Sequence, residues 1–290
     1  MTDSPARSLL ERAARAFDFE AAARAHALPV AEDAPATVVE PEGGWRRAAA
    51  RRGTIPRDLL ETQGFILPDA IPSALAEEMR IVKRQLLLAA GAPGATARDR
   101  MVLIASAREG EGKTFCAANL ALSLASERDW EVLLVDADVA RPSVPRVLGL
   151  EEGPGLLDAL ADPHVDVEGC IVRTDIGALS VLPAGQPVPN ATELIASDRM
   201  GSLLERLSSR SDRRLIIFDS PPALAASPAA ALALHVGQTL LVVRADSTGE
   251  AELKEAVGLL SACPRLQLLL NAVTYHGGTR RFGGYYGKDA

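Results

Sequence analysis

Residues 106–114 read SAREGEGKT, a stretch close to a known loop pattern. A phosphate-binding loop usually follows the pattern G-x-x-x-x-G-K-[ST]. Gly112, Lys113 and Thr114 occupy its last three fixed positions, whereas Ala107 stands where the first glycine is expected. An apolar run precedes the stretch and a helical pattern follows it, and small residues in such a loop let backbone N–H groups approach phosphate oxygens. The order of strand, loop and helix predicts a working phosphate-binding loop.

Apolar runs alternate with helical patterns on both sides of this loop. Continuous apolar runs are typical of strands that are buried on both faces of a parallel sheet. They are Met101–Ala105, Val132–Asp136, Leu179–Leu182, Leu215–Asp219, Thr239–Arg244 and Leu266–Leu270. Helical patterns lie between several of them, at Thr114–Ser126, Ala191–Leu207 and Glu250–Ser261. The alternation predicts an α/β fold with a doubly wound, mostly parallel sheet of the P-loop NTPase type.

The flanks of this domain carry different patterns. Ser4 and Pro5 form a good helix start, with serine as the N-cap and proline as the first helical residue. A segment rich in proline, glutamate and glycine then reads as a linker. The expected parts of the chain are a helical N-terminal extension at 1–28, a linker and irregular region at 29–72, a helix at 73–97, the P-loop domain at 98–274 and a flexible Gly/Tyr tail at 275–290.

Composition and charge exclude several classes of protein. The 290 residues are 48% hydrophobic and 24% charged, as expected of a soluble chain with one large core. The formal net charge of -7 argues against broad nucleic-acid binding, which needs a basic surface. The sequence shows no apolar run of about 18 residues and no signal-peptide pattern, and its three cysteines form no metal-ligand pattern. We therefore expect a cytoplasmic protein without a membrane span.

Aspartates at the ends of two predicted strands complete the expected nucleotide site. Asp136 and Asp138 lie in VLLVDAD, and Asp219 lies in LIIFDSPP. Open parallel sheets bind ligands at the carboxyl ends of their strands. We expect Lys113 to reach the β- and γ-phosphates of ATP and the Thr114 hydroxyl to bind Mg²⁺. A lone aspartate at a strand end is often only a helix cap, but three of them beside a phosphate loop indicate chemistry with Mg-ATP.

Longer segments resemble those of bacterial tyrosine kinases. The Walker A, A′ and B motifs of that family are similar to ASAREGEGKTFCAANLALSLA, VLLVDADVARPSVPRVLGL and LIIFDSPP, and the match extends through GLLDAL, LPAGQPVPNATELIASDRM and the asparagine that ends LLLN. The tyrosine autokinases of the exosortase (XrtA/PEP-CTERM) system resemble this chain in SLLERAARA, EEMRIVKRQLL and GGYYG. The resemblance implies a MinD/ParA-like P-loop fold and ATP-dependent autophosphorylation on tyrosine in trans.

The resemblance also implies roles for individual residues. Lys113, Asp136 and Asp138 would form the catalytic set, with Asp136 as the base toward an incoming tyrosine hydroxyl. Thr114, Asp138 and Asp219 would bind Mg²⁺. The ATP-binding set would be Gly110, Glu111, Gly112, Lys113, Thr114 and Phe115.

The carboxyl-terminal segment is the expected substrate. All three tyrosines of the chain, Tyr275, Tyr285 and Tyr286, lie in the last 16 residues. Tyrosine normally packs in cores and interfaces, whereas a glycine-flanked tail suits a substrate. We expect Tyr285 and Tyr286 to accept phosphate. Whether Tyr275, which follows closely on the last predicted strand, also accepts phosphate stays open.

Two positions near the nucleotide site depart from the family's pattern. Ala140 stands where the A′ motif of the family has arginine, with Arg141 one step on, and Glu109 stands where the loop usually has proline. Glu109 adds negative charge near the phosphates, so lower ATP affinity is expected unless Arg108 offsets that charge.

The helix predicted at 73–97 carries a charged pattern. The family's E-x-x-R-x-x-R helix, which meets a neighbouring subunit, reads here as Glu77, Arg80 and Lys83, with Arg84 following. Residues at this spacing share one helix face. The alternative interpretation is a local network of surface ion pairs, which contributes little to stability.

Two other functions stay open on the sequence. A MinD/ParA-like ATPase switch shares the fold, but such proteins carry a lysine early in the loop, where Arg108 and Glu109 stand here. The second alternative is a regulatory subunit of the polysaccharide machinery that binds nucleotide but has no kinase activity. For a kinase, the resemblance implies a homo-oligomer, a role in exopolysaccharide synthesis and export, and a polysaccharide chain-length determinant protein as partner. The chain would then lie at the inner membrane only through that partner.

Overall fold

A computed structural model of the chain describes residues 51–68 and 73–273. Its strands are β1 Arg51–Gly53, β2 Met101–Ser106, β3 Glu131–Asp136, β4 Val172–Thr174, β5 Leu179–Leu182, β6 Arg214–Asp219, β7 Gln238–Arg244 and β8 Leu266–Asn271. They form one sheet in the order β1-β4-β5-β3-β6-β2-β7-β8. Only β4 and β5 pair in the antiparallel direction among the described strands. The predicted doubly wound, mostly parallel sheet is confirmed.

Helices cover both faces of this sheet. Those in the described residues are α1 Arg57–Thr62, α2 Ala74–Ala90, α3 Lys113–Leu124, α4 Val144–Val147, α5 Leu156–Ala161, α6 Val167–Cys170, α7 Ala191–Ile195, α8 Asp198–Ser209, α9 Pro228–Ala233 and α10 Glu250–Leu259. The α2 and α3 helices pack on one face, whereas α5, α8, α9 and α10 pack on the other. No helix of the described region is long and apolar enough to cross a membrane.

The central strand β2 shows why its sequence is apolar throughout. Val102 and Ile104 pack in the hydrophobic cluster on the α3 face, and Leu103 and Ala105 pack in the cluster on the opposite face. A strand that is buried on both faces has no position for an exposed polar side chain. All six predicted strands are present. The helix predicted at Ala191–Leu207 is divided into α7 and α8, because the backbone is extended at Ser197, with ψ of 158°.

Residues 51–68, which the sequence placed in a linker and irregular region at 29–72, are ordered parts of the domain. The β1 strand extends the sheet beyond β4. The backbone N–H of Ile66 donates a hydrogen bond of 2.8 Å to Oδ1 of Asn119, and Phe65 stacks on Phe115 with ring centroids 5.2 Å apart. The prediction of an irregular region is therefore wrong for these residues. A three-residue strand shows no periodicity, so the sequence gives no sign of it.

Candidate functional site

The loop between β2 and α3 depends on glycine at two positions. Gly110 has φ of 79° and Gly112, which precedes α3, has φ of 95°. Side chains other than glycine rarely adopt such values. Ala107 is not among the positive-φ residues of the described chain, and it is fully packed, so its methyl group is accommodated without backbone strain. The absent first glycine therefore leaves the loop intact.

The carboxylate of Glu111 holds this loop from within. Glu111 is only 3% exposed, and its Oε2 accepts a hydrogen bond of 2.9 Å from the backbone N–H of Arg108. Its Oε1 accepts from the hydroxyl of Thr248, and its carbonyl accepts from Nδ2 of Asn271 at 2.9 Å. A Cβ atom on Gly112 would lie 2.2 Å from that Nδ2. Glu111 thus has only its backbone N–H left for a phosphate. Thr248 is a supporting residue that sequence reasoning missed, whereas Asn271 was noted as part of the family match without this role.

The first residues of α3 meet carboxylates from two strands. Nζ of Lys113 lies 2.8 Å from Oδ2 of Asp138, and the hydroxyl of Thr114 donates a hydrogen bond of 2.6 Å to Oδ2 of Asp219. The structure thus brings together four of the residues that the sequence assigned to ATP and Mg²⁺. Phe115 comes next on the helix, and its ring stacks on Phe65 and packs against the hydrophobic cluster.

Two of the aspartates each keep one unpaired oxygen. Asp136 and Asp219 are register partners on β3 and β6, and both are fully buried. Oδ2 of Asp136 accepts hydrogen bonds from the backbone N–H groups of Ser143 and Val144, at 2.8 and 2.9 Å. Oδ1 of Asp136 and Oδ1 of Asp219 accept no hydrogen bond within the described residues. Buried and unpaired carboxylate oxygens are costly unless a cation or a proton lies against them.

The pKa values of these aspartates reflect that cost. Burial raises the pKa of Asp136 to about 6, although the hydrogen bonds from Val144 and Ser143 lower it. Burial also raises the pKa of Asp219 to about 7, against the lowering effect of the Lys113 charge and the Thr114 hydroxyl. A metal cation favours the ionised form of a neighbouring carboxylate and reverses these shifts.

The donor set fits Mg²⁺ that is bound together with a nucleotide. No group of three or more His, Cys, Asp and Glu residues in the described part of the chain is arranged to hold a metal ion by itself. Mg²⁺ usually takes one or two carboxylates and completes its shell with water and substrate phosphates. Thr114, Asp138 and Asp219 supply a hydroxyl and two carboxylates at the same sheet edge.

The charge of Glu109 is offset, but by a different arginine from the one expected. Glu109 forms an ion pair with Arg141, and both side chains are about two-thirds exposed. Arg108 instead pairs with Glu252 of α10 at 3.0 Å. The arginine that follows Ala140 therefore faces the loop, although it is displaced by one position from the family's pattern.

The charged pattern of α2 divides into an exposed pair and a buried lysine. Arg80 and Glu77 form an ion pair of 3.0 Å at the surface. Nζ of Lys83 donates a hydrogen bond to the Ser123 carbonyl at 2.9 Å and pairs with Glu127 at 2.7 Å, and Lys83 is only 8% exposed. Lys83 is not free to contact another subunit, which corrects the expectation for that residue.

The expected acceptors, Tyr285 and Tyr286, lie outside the described residues, as do Tyr275 and the extension at 1–28.

Comparisons with known proteins place the chain among P-loop proteins. The family model described as ParA, NUBPL iron-transfer P-loop NTPase, matches residues 98–225. The chain is 33% identical over 247 residues to the tyrosine-protein kinase Wzc of Salmonella typhi, with 84% of this chain and 33% of that protein covered. It is 34% identical over 164 residues to the tyrosine-protein kinase YwqD of Bacillus subtilis, with 57% of this chain and 68% of that protein covered.

A solved structure is also similar over most of the chain. The kinase domain of the Escherichia coli tyrosine kinase ETK superposes with a TM-score of 0.60 at 26% identity, covering 80% of this chain and 94% of that domain. The chain spans about a third of the length of Wzc, and it spans about two thirds of YwqD.

Proposed function

The chain belongs to the family of bacterial tyrosine-protein kinases, and on that premise we propose that it transfers the γ-phosphoryl group of ATP to its own tyrosines in trans. The observation that carries the proposal is the meeting of Lys113 with Asp138, at 2.8 Å, and of Thr114 with Asp219, at 2.6 Å, at the start of the helix that follows the phosphate loop. These contacts put a cation, a hydroxyl and two carboxylates at one point of the sheet edge. Such a set is what phosphoryl transfer with a metal ion requires.

The loop residues bind and orient the nucleotide in this proposal. ATP with Mg²⁺ supplies the phosphoryl group and part of the positive charge that balances the phosphates when it is bound. Lys113 would hold the phosphates as a point charge, and the backbone N–H groups at the start of α3 would add the positive end of the helix dipole. Thr114, Asp138 and Asp219 would hold the metal ion, directly or through water.

Asp136 would take the proton from the tyrosine hydroxyl. Its Oδ2 is held by two backbone N–H groups, so its Oδ1 is the atom that can accept a proton. A tyrosine hydroxyl has a pKa of about 10, so a carboxylate can remove its proton only late in the transfer. Positioning and charge neutralisation therefore supply most of the catalysis.

Asp136→Asn is expected to lower the rate of tyrosine phosphorylation about 100-fold while the affinity for Mg-ATP stays within about twofold, because a base acts only in the chemical step. Burial raises the pKa of Asp136 to about 6 without a metal ion, and bound Mg²⁺ lowers it, so the wild-type rate at saturating Mg-ATP should rise with pH at values below about 6, and this rise should be absent in the variant. The measurement is the initial rate of phosphotyrosine formation at saturating Mg-ATP from pH 4.5 to 8.

Asp219→Asn is the matched comparison, since it makes the same change at the register partner of Asp136. It should weaken ATP binding mainly at low Mg²⁺ concentration, because a metal ligand needs its negative charge. Indistinguishable Mg²⁺ titrations for the two variants would refute this division of roles.

For assembly we propose a homo-oligomer that uses the outer face of α2. Glu77, Arg80 and Arg84 lie on this helix with two exposed apolar residues, Ile81 at 52% and Leu88 at 69%. Charged residues around apolar side chains are typical of a contact surface between subunits. The corresponding motif of the family supports this face.

Arg80→Glu is expected to weaken subunit association about tenfold, because it puts a negative charge beside Glu77 and removes an arginine from the contact. Sedimentation velocity of the unphosphorylated chain measures this change. Arg128→Glu makes the same substitution at an exposed arginine outside α2 and should leave the sedimentation coefficient unchanged. Equal association of the Arg80 variant and the wild type would exclude α2 as the contact.

For the cellular role we propose exopolysaccharide synthesis and export, with a polysaccharide chain-length determinant protein that holds the chain at the inner membrane. The resemblance to the family supports this role. The segments SLLERAARA and GGYYG also resemble the exosortase-associated autokinases, so we extend the proposal to that system. Cell fractionation with and without that membrane protein tests it. A chain that sediments with membranes in both cases would contradict attachment through this partner.

A further inference from the structure

A cavity lies at the end of the sheet opposite to the phosphate loop. Its volume is about 460 Å³, and it opens beside the amino ends of β3, β5 and β6 and beside β4 and β1. Glu131 at the start of β3 lines it, whereas Asp136 at the end of β3 belongs to the nucleotide site. The two sites are therefore separated by the length of β3, about 15–20 Å at roughly 3.3 Å per residue.

The lining of this cavity is strongly basic. It contains four arginines, Arg52, Arg173, Arg210 and Arg214, and one carboxylate, that of Glu131. The cavity is thus positive in a chain whose formal net charge is -7. Composition alone gives no sign of such a local reversal of charge.

Two of these arginines stand side by side on neighbouring strands. Arg52 of β1 and Arg173 of β4 are register partners in the parallel pair, and Ser180 of β5 is the register partner of Arg173 on the other side. Register partners project from the same face of a sheet. Two guanidinium groups and a hydroxyl therefore form a row along the cavity wall.

The other two arginines are neutralised within the chain. Arg214 bonds to Glu168 at 2.7 Å and to Glu131 at 3.3 Å, and Arg210 lies 3.7 Å from Glu168. Arg52 and Arg173 are exposed and have no hydrogen bond or ion pair from their side chains to any residue in the described ranges. Like charges directly opposite each other on neighbouring strands are destabilising, so an anion between the two would relieve their repulsion.

We propose that this cavity binds the phosphate group of a small phosphorylated molecule between Arg52 and Arg173. A guanidinium group presents a planar fork of donors that matches phosphate oxygens in pairs. The Ser180 hydroxyl is placed to donate a further hydrogen bond to the same group. The volume lies in the range of small-molecule sites, so it accommodates a phosphate together with the body that carries it. This site is independent of the proposed kinase activity.

Inorganic phosphate is the probe that tests the site, titrated by calorimetry into the full chain while a non-hydrolysable Mg-ATP analogue fills the phosphate loop. The wild type should bind phosphate saturably, and Arg52→Gln with Arg173→Gln should weaken binding about tenfold or more. Glu131→Gln should tighten binding, because it removes the carboxylate of the lining. Arg128→Gln, at an exposed arginine that does not line the cavity, is the matched control.

Stability without ligand is a second readout. Arg173→Gln should raise the Tm in phosphate-free buffer, because it removes the repulsion from Arg52, whereas Arg128→Gln should not. Phosphate binding by the double variant equal to that of the wild type, or no binding by the wild type, would overturn the proposal.

Vesicles distinguish a soluble phosphate ester from a lipid headgroup of the same chemistry. A lipid source is supported if the wild type sediments with phosphatidic acid vesicles but not with phosphatidylcholine vesicles, and if the double variant sediments with neither. Phosphate binding without vesicle binding supports a soluble one.

Discussion

Lys113→Met is expected to lower tyrosine phosphorylation at least about 100-fold while the fold stays intact. In the proposed site, the ammonium group of Lys113 is the point charge that the loop provides for the β- and γ-phosphates. In the described structure Nζ of Lys113 donates a hydrogen bond of 2.8 Å to Oδ2 of Asp138, and it donates none to a backbone carbonyl of the described core. The expected result is therefore loss of phosphotyrosine at saturating Mg-ATP with an unchanged far-ultraviolet circular dichroism spectrum.

The same substitution should also lower the Tm, since it leaves Oδ2 of Asp138 without its partner while Oδ1 keeps the hydrogen bond from the backbone N–H of Arg141. The side chains of Lys113 and Asp138 are 13% and 6% exposed, so removing the lysine should cost about 1–3 kcal/mol of unfolding free energy. Lys254→Met is the matched control, because Lys254 pairs with Glu250 at 2.8 Å on an exposed helix face. It should change neither phosphorylation nor stability appreciably. Full activity of Lys113→Met would contradict the assignment of the site.

The double variant Tyr285→Phe/Tyr286→Phe is expected to lose most of the phosphotyrosine while it binds ATP like the wild type. The substitutions remove the two expected acceptor hydroxyl groups and leave every residue of the loop in place. From Asn271 to Tyr285 an extended chain spans at most about 45–50 Å at 3.3–3.6 Å per residue, which is enough to reach an adjacent subunit. Tyr275→Phe is the matched control and should keep most of the signal.

This variant also tests whether phosphorylation releases the tail. Each phosphate adds about -1.5 to -2 charges at neutral pH, and Asp136, Asp138 and Asp219 would repel them once transfer is complete. Sedimentation of the double variant with Mg-ATP should therefore show larger particles than the phosphorylated wild type. Equal size distributions would mean that the tail is not the switch for assembly, even if it is the acceptor.

The clustering of the residues of the proposed nucleotide site could be predicted because parallel strands end at one edge of a sheet. Lys113 follows β2 through the loop, Asp138 follows β3, and Asp219 ends β6. In the structure Lys113 contacts Asp138, and Thr114 contacts Asp219. The three-residue strands β1 and β4 could not be predicted in the same way, because neither is long enough to show a period. The cationic cavity depends on their register, so it too was beyond the sequence.

Other features depend on contacts between distant parts of the chain. Glu111 meets Thr248 and Asn271, which are 137 and 160 positions away, and no local pattern links them. Lys83 reads as an exposed helix residue, yet the packing of α2 on α3 turns its ammonium group toward Ser123. Helical spacing shows which residues share a face, but the face that packs inward is set by the neighbouring helix.

Mass spectrometry of the purified full chain after incubation with Mg-ATP is the most direct test of tyrosine autophosphorylation. We predict phosphate on Tyr285 and Tyr286 that increases with the ADP formed, and none in a Lys113→Met sample treated identically. ATP hydrolysis or tight ATP binding without phosphotyrosine at any position would contradict the kinase assignment and favour an ATPase switch or a nucleotide-binding regulatory subunit.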